Sequence, residues 1–395
     1  MALLTKLGSL FVKAESSFSV DPDTDGSSYL QVPAIDVKWD PSQNVIEREV
    51  VRSTLGKSIS SKPGQKGGKL TFKVPVAGLY TGAGDGVTGV LPTWLTPLFE
   101  ASGTVTAAGV GTTVSGGSST TTSVDLTSAA GISAGTHVMI SNEIRLVTAK
   151  SGSTITVTPA LSSAPSNGTV VYSGVSVVLD VNSATHEPTT VAFVWKSDGD
   201  EETILGCAGT WKIENFDAGA RAMISFEFQA NTWDNTTNKS SLPTTFPTLT
   251  TEILAQRSSG ATKGSALYWG STATAVATAG VAFDPGLTLA PKPNVGGIEG
   301  RAGWVVTAEN ARMSVKPYSA QTTYRTDFVT PTLRTAHLQV GSASEAAFAV
   351  SMQQAQIVDL PKESDIGGIR AHELVLRARA PSVSGLDHGF SLTIF

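Results

Sequence analysis

The strongest constraint on this chain is a period of two in its hydrophobicity. Apolar and polar residues alternate through Lys69-Leu70-Thr71-Phe72-Lys73-Val74-Pro75-Val76 and again through Ile224-Ser225-Phe226-Glu227-Phe228-Gln229. The same period recurs at Val191, Phe193 and Trp195, at Ile155 and Val157, and at Leu374, Leu376 and Ala378. Successive side chains of a strand point to opposite faces, so this pattern predicts half-buried β-strands. Turns are marked by Ser197-Asp198-Gly199-Asp200 and Asp217-Ala218-Gly219-Ala220, which supply residues that tolerate positive φ or bond their own backbone. The 39 glycines fit a chain of many short strands and tight turns.

One segment has helical spacing instead. Pro92 to Ser102 puts Trp94, Leu95, Leu98 and Phe99 on one side, with Pro92 suited to a first turn, Pro97 limiting or kinking the residues after it, and Gly103 suited to the stop. The fold class expected is mainly β: two β-sandwich or partial-barrel domains, a small inserted β domain, and one or two short helices. Residues 1–103 with 174–240 form the first, discontinuous domain. Thr104 to Ser173, rich in Ser, Thr and Gly, is read as the inserted module, because a structureless loop of that length is uncommon. Residues 241–395 form the second domain, after a Thr- and Pro-rich linker at Leu242 to Thr251; Asn231 to Ser241 before it is expected to be loop.

A faint internal repeat joins the halves. Trp211 to Phe216, a turn, and Arg221 to Ala230 match Gln353 to Leu360, a turn over Lys362 to Gly368, and Ile369 to Ala380. The basic stretch Arg48 to Lys73 has a counterpart in Gly296 to Lys316.

The chemistry of catalysis is not visible. His137, His186, His337, His372 and His388 are scattered, and none has zinc-site spacing. Cys207, the single cysteine, sits in the apolar Leu205-Gly206-Cys207-Ala208-Gly209 and is expected to be buried. Gly82-Ala83-Gly84-Asp85-Gly86 lacks the strand and helix that frame a phosphate loop. Asp21-Pro22-Asp23-Thr24-Asp25-Gly26 has the start of a calcium loop, but Val32 stands where the bidentate acid belongs, so an acidic turn is the better reading. No metal or other cofactor, and no enzymatic activity, is expected. The net charge of -5 disfavours a protein that grips nucleic acid. No apolar run is long enough for a helical membrane span. The amino terminus lacks the features of a secretory signal.

Two charged features suggest contact between copies. Arg48, Arg52, Lys57, Lys62, Lys66, Lys69 and Lys73 crowd one loop-and-strand region, and Asp198, Asp200, Glu201 and Glu202 crowd a hairpin tip. Solvated surface is the bland alternative for each.

The stretch Ile35-Asp36-Val37-Lys38-Trp39, then Ile46-Glu47-Arg48-Glu49, Leu55-Gly56 and Leu70 to Val74 resembles the start of a siphophage tail tube protein. Leu91-Pro92-Thr93-Trp94-Leu95-Thr96-Pro97-Leu98-Phe99-Glu100-Ala101-Ser102-Gly103 is similar to that family's Pro-x-Trp-x-x-Leu-Leu-x-x-x-Gly helix. Leu205 to Thr210 and Ala218 to Phe228 look like its carboxy-terminal hairpins, and Phe283 to Leu287 with Ala347 to Ala380 resembles the longer, two-part members. The resemblance implies a virion structural subunit, made in the bacterial host cytoplasm. Copies would join side by side into a ring lined by a closed β-barrel, and rings would stack into a tube for DNA ejection. With two tube-like halves, three copies would make a pseudo-sixfold ring. The family's partners would be the tape measure, tail terminator and distal tail proteins, with duplex DNA passing through unbound. On this reading Lys57, Lys62, Lys66 and Lys69 with Asp198, Asp200, Glu201 and Glu202 make ring-to-ring contacts. Asp36 and Glu227 face a neutral-to-acidic lumen, and the module lies outside. Another virion β protein, such as a capsid decoration or baseplate component, and a carbohydrate-binding or adhesin module are the rival readings.

Overall fold

The structure is a computed structural model, and it describes residues 8–47, 61–76, 91–107, 109–179, 187–197, 200–217, 221–246, 266–270, 278–318, 322–341, 347–366, 368–379 and 389–395. It is mainly β, with two short α-helices among the described residues. The first half contains β1 (Gly8–Ala14), β2 (Leu30–Val32), β3 (Ile35–Ile46), β4 (Lys62–Pro75), α1 (Thr96–Glu100) and β5 (Thr104–Ala107). Six strands then form a sheet of their own: β6 (Gly111–Thr113), β7 (Ser123–Asp125), β8 (His137–Ile140), β9 (Glu143–Ser151), β10 (Thr154–Thr158) and β11 (Val170–Ser173). The chain returns through β12 (Val175–Leu179), β13 (Val191–Ser197), β14 (Asp200–Asp217), β15 (Met223–Ala230) and β16 (Thr232–Asp234). The second half continues with β17 (Ala266–Trp269), β18 (Thr278–Asp284), β19 (Thr288–Pro293), β20 (Arg301–Ala308), β21 (Arg312–Pro317), α2 (Thr322–Val329), β22 (Arg334–Gly341), β23 (Ala347–Ile357), β24 (Lys362–Ile366), β25 (Ile369–Ala378) and β26 (Ser391–Ile394).

The alternating segments are strands, and their apolar residues meet in one core shared by both halves. Leu70, Phe72 and Val74 of β4 pack with Ile224, Phe226 and Phe228 of β15, Trp211 of β14, Phe283 of β18 and Leu376 of β25. Phe72, Phe193, Phe226 and Phe228 bring their ring centres to 5.0–6.0 Å of one another. Burying one such ring contributes roughly 1.5–3 kcal/mol, with about 0.5–1.5 more for each aromatic pair. The main strands are thus held by side-chain burial, with the ladders satisfying the backbone.

The inner layer runs β3–β4–β15–β14 from the first half, then β18–β21–β25 from the second. The last place beside β25 is shared by the end of β23 and by β24. Each half therefore lays down its strands in the same order: first, second, fourth, third. The repeat extends to the outer layer, where β1 pairs with β13 as β17 pairs with β22. It also extends to the helices, because α1 comes after β4 as α2 comes after β21. Topology thus repeats more clearly than sequence does.

Several local expectations are revised. The helix spans Thr96–Glu100 only, because Pro97, which lacks an N–H, fits just inside a helix start and so fixes where this one begins. Gly103, at φ +73°, ends the turn beneath Val306. Lys362–Ile366 is a strand rather than a turn; the reversal falls at Gly368, at φ +83°. Thr232–Asp234, within a stretch expected to be loop, pairs with Thr203–Leu205. Thr104–Ala107 pairs with Leu179–Ser176 in the main sheet, so the six-stranded unit starts after it. That unit has a separate core of Val124, Ile132, Val138, Ile140, Ile155 and Val171, among others.

Candidate assembly surfaces

The inner layer has one apolar and one polar face. Opposite Leu70, Phe72 and Val74 stand Lys69, Thr71 and Lys73; opposite Phe226 and Phe228 stand Glu227 and Gln229. The polar face continues through Lys212 and Glu214, Asp284, Arg312 and Ser314, then Glu373 and Arg377. Acids and bases are interspersed along it, and on the first-half strands they pair, while Arg312 stands directly across from Arg377 in the second half. Lys69 Nζ lies 2.7 Å from Glu227, Lys73 Nζ 3.0 Å from Glu214 and 3.7 Å from Asp36, and Lys38 Nζ 2.9 Å from Asp40. A shallow depression of about 600 Å³ lies where the halves meet on this face, lined by Lys212, Glu214, Asp284, Arg312 and Asp359 among others.

Both ends of the inner layer are open among the described residues. Among the described residues no strand lies beyond β3 or beyond β24. β3 is almost wholly exposed, with Val45 64% and Ile46 57% accessible. An unpaired edge leaves a row of backbone donors and acceptors available to another chain.

The predicted contact residues separate on this framework. Lys57 and Asp198 lie outside the described residues, as do Arg48, Arg52 and Gly82–Gly86. Lys62, Lys66 and Lys69 stand on β4 rather than in a loop. Lys66 is engaged inside the chain: its N–H donates to Glu299 Oε2 at 2.7 Å and its ammonium to the Trp233 carbonyl at 3.0 Å, 4.6 Å from the Trp233 ring centre. Glu201 is buried and accepts from the Lys239 N–H, while Glu202 accepts from Trp39 Nε1. Asp200 remains at the exposed hairpin end, paired with Ser197 in register. Lys69 and Glu227, assigned from sequence to two different surfaces, are ion-pair partners on one face. Asp36 and Glu227 do share that face with each other.

The outer layer has no free polar face where the six-stranded module sits. Alternate residues of β22, β23 and β26 point away from the core: His337 and Gln339, then Ala347, Ala349 and Ser351, then Ser391, Thr393 and Phe395. Apart from Phe395 they are small or hydrogen-bonded, and the module packs directly on Ala347, Ala349 and Phe395 through Met139 and Ile144. His137 and His337, far apart in sequence, are brought to a ring-centre separation of 5.5 Å around Ser351. His137 Nδ1 is 2.7 Å from Thr393 Oγ1 and its Nε2 2.7 Å from Ser351 Oγ; His337 Nδ1 is 2.6 Å from Ser351 Oγ and its Nε2 2.8 Å from the Ile144 carbonyl. A carbonyl can only accept, so His337 carries its proton on Nε2. The hydroxyl of Ser351 then donates to His337 and accepts from His137 Nε2, and Thr393 donates to His137 Nδ1. Both rings are neutral, and burial pushes both well below the ordinary histidine range, His137 to about 3. Arg145, fully buried beside them, pairs with Glu143 at 2.5 Å and lies over Tyr268. Sequence spacing missed this cluster because its members come from β8, β22, β23 and β26; the clue available was the run Ala347, Ala349 and Ser351 on the second face of β23.

Among the described residues no group of His, Cys, Asp or Glu is arranged to hold a metal. The acidic turn at Asp21–Asp25 is occupied from within: the Lys239 ammonium donates to Asp21 and to the Asp23 carbonyl at 2.6 Å. Cys207 is buried, and burial, then Glu15, pushes its thiol upward. No protein-family model matches the sequence, and no curated protein matches it.

Proposed function

We propose that this chain is a structural subunit of a bacteriophage tail tube. One observation carries the reading: an inner layer built twice over in the same strand order, apolar on one side and charge-balanced on the other, with both end strands unpaired among the described residues. Such a layer completes itself by joining β3 of one copy to the β24 edge of the next, which closes a barrel and removes the edges. The polar face then lines a lumen in which Lys38, Lys69 and Lys73 are each answered by a carboxylate. A wall of that kind offers phosphates little net attraction, so duplex DNA slides past rather than binds. The six-stranded module covers the opposite layer and would decorate the outside. Because each chain supplies two equivalent halves, three chains make a ring with pseudo-sixfold symmetry. The resemblance in the β3–β4 region and in the Pro92–Gly103 segment points the same way. The partners expected at the ends and inside such a tube are the tape measure, terminator and distal tail proteins.

Electron microscopy of the concentrated, purified chain tests this. Hollow stacked rings of three chains are expected. Rings of six chains would refute the symmetry, and a monodisperse monomer at millimolar concentration would refute the function.

A further inference from the structure

Arg301, the first residue of β20, meets Asp40 of β3 and Lys66, Gly67 and Lys69 of β4 around a pocket of about 360 Å³. Trp304 forms a further wall, its ring centre 5.6 Å from the guanidinium. Gly67 helps to keep the space open. A Cβ there would stand 3.3 Å from Ser42 Oγ and 3.8 Å from Arg301 Nη1.

The charges around the pocket do not all find partners. Lys69 is spent on Glu227 at 2.7 Å, and Asp40 on Lys38 at 2.9 Å. That leaves Lys66 and Arg301, and neither has a carboxylate at ion-pair distance among the described residues. The Lys66 ammonium has the Trp233 carbonyl at 3.0 Å and that residue's ring, which leaves it further N–H donors. Arg301 uses only Nη1, toward the Ala230 carbonyl and Asn231 Oδ1, both at 3.4 Å. Its Nε and Nη2, the edge that can grip two oxygens at once, meet no acceptor among the described residues. Two carboxylates act on these cations through their charge, and both are committed elsewhere. Glu299 accepts the Lys66 N–H at 2.7 Å and the Thr232 hydroxyl at 3.4 Å; Asp234 accepts the Thr236 N–H at 3.0 Å and its hydroxyl at 2.7 Å. Burial, against the pull of Glu299, lowers the Arg301 guanidinium from its ordinary value. A half-buried cation with most of its donors unanswered is costly to keep unless something occupies them.

We propose that this pocket is an oxyanion site that takes one phosphate group, held by the free edge of Arg301 and the ammonium of Lys66. The donors come from two side chains on different strands. A carboxylate has two oxygens in one plane and is satisfied by the guanidinium alone, whereas a tetrahedral phosphate has a third oxygen to offer the lysine. Free phosphate is the expected source, since the pocket is concave and the polar face beside it is largely neutralised. The site stands apart from the tube reading: failure to form rings would leave it untouched.

Titration of the purified chain with inorganic phosphate, followed by phosphorus NMR, tests this. Saturable broadening is expected, with a Kd on the order of 1 mM. Arg301→Gln should weaken it by about tenfold or more, since charge-assisted hydrogen bonds are lost. Lys66→Gln, which keeps the main-chain bond to Glu299, should weaken it as well, and both variants should retain the wild-type circular dichroism. Sodium acetate at the same concentration should not displace the phosphate. Nor should a short DNA duplex; displacement by duplex would keep the phosphate chemistry and move its source to the nucleic-acid backbone. No saturable signal with the wild-type chain, equal affinity in wild type and both variants, or acetate competing as well as phosphate would overturn the assignment.

Discussion

The two outer faces of the body show how the same alternating pattern serves opposite ends. On the inner layer, the residues opposite the core are long and charged: Lys69, Lys73, Lys212, Glu214, Glu227, Arg312 and Arg377. On the outer layer they are Ala347, Ala349, Ser351, Ser391 and Thr393, with His337 and Gln339 fully hydrogen-bonded. Both faces read as the second set of a period of two. Side-chain size and charge separate them: long ions must stay solvated, whereas small residues let a second layer approach. A face of this second kind is built to be covered, and the six-stranded module covers it.

The sharpest way to break the comparison is to exchange the residues. Ala349→Arg places a long cation under the module with no partner, and overpacks a face held at near contact. A loss of about 4 kcal/mol or more is expected by denaturant unfolding. Thr71→Arg, at the middle of the inner layer's polar face, should stay within about 0.5 kcal/mol. Equal costs at the two positions would erase the distinction drawn between the faces.

The next test removes one partner from the buried pair beneath the module. Glu143→Gln leaves the Arg145 guanidinium buried without its carboxylate, which accepts from Arg145 and from the Ser162 N–H at 3.0 Å. A loss of about 3 kcal/mol is expected, recovered in large part by the double variant Glu143→Gln with Arg145→Met. A cost below about 1 kcal/mol would mean that the module is not packed as described.

Acid should act on the covered face and spare the open one. His137 and His337 are held neutral in the fold, so their folded pKa values lie below the unfolded value of about 6.5. Stability from this source is complete above that value and falls as the pH drops toward about 3, because the unfolded chain binds protons that the folded one refuses. The loss is about 1.4 kcal/mol per pH unit for each histidine. The Arg145 cation, paired with Glu143 and stacked on Tyr268, adds repulsion against a second charge at His337. Replacing His137 by Gln should take about 1.4 kcal/mol per pH unit from the slope of the acid limb, and an unchanged slope would show that the ring does not titrate between these limits.

The alternation in β4, β15 and β25 made their strand character and their buried faces legible, because each strand has one wet and one dry side. Legibility stopped where both sides are dry. The first half of β23 reads as a nearly continuous apolar run, β22 keeps its alternation although both its faces are covered, and nothing local says that His337 meets a residue from β8 across 5.5 Å. The charge clusters misled for a related reason. Lys66 and Glu201 look like surface charges in the sequence, but each is consumed by a partner from a distant segment, Glu299 and Lys239 in turn. Lys362–Ile366 looked like a turn because Lys, Glu, Ser and Asp are poor strand formers; an edge strand tolerates them and is protected by them.

The smallest effect concerns the Lys69–Glu227 pair on the open face. Its side chains are 49% and 48% exposed at 2.7 Å, so water screens their attraction and holding both chains in place costs entropy. A double-mutant cycle with Lys69→Gln and Glu227→Gln should give a coupling below about 1 kcal/mol, falling further in high salt. Charge balance across this face would then matter for what moves along it more than for folding. Glu227→Lys makes that separable: the free subunit should melt within a degree or two of wild type, while tubes assembled from it should retain duplex DNA with a steep dependence on salt. A large stability loss from Glu227→Lys would place this pair with the covered face and remove the contrast between the two layers.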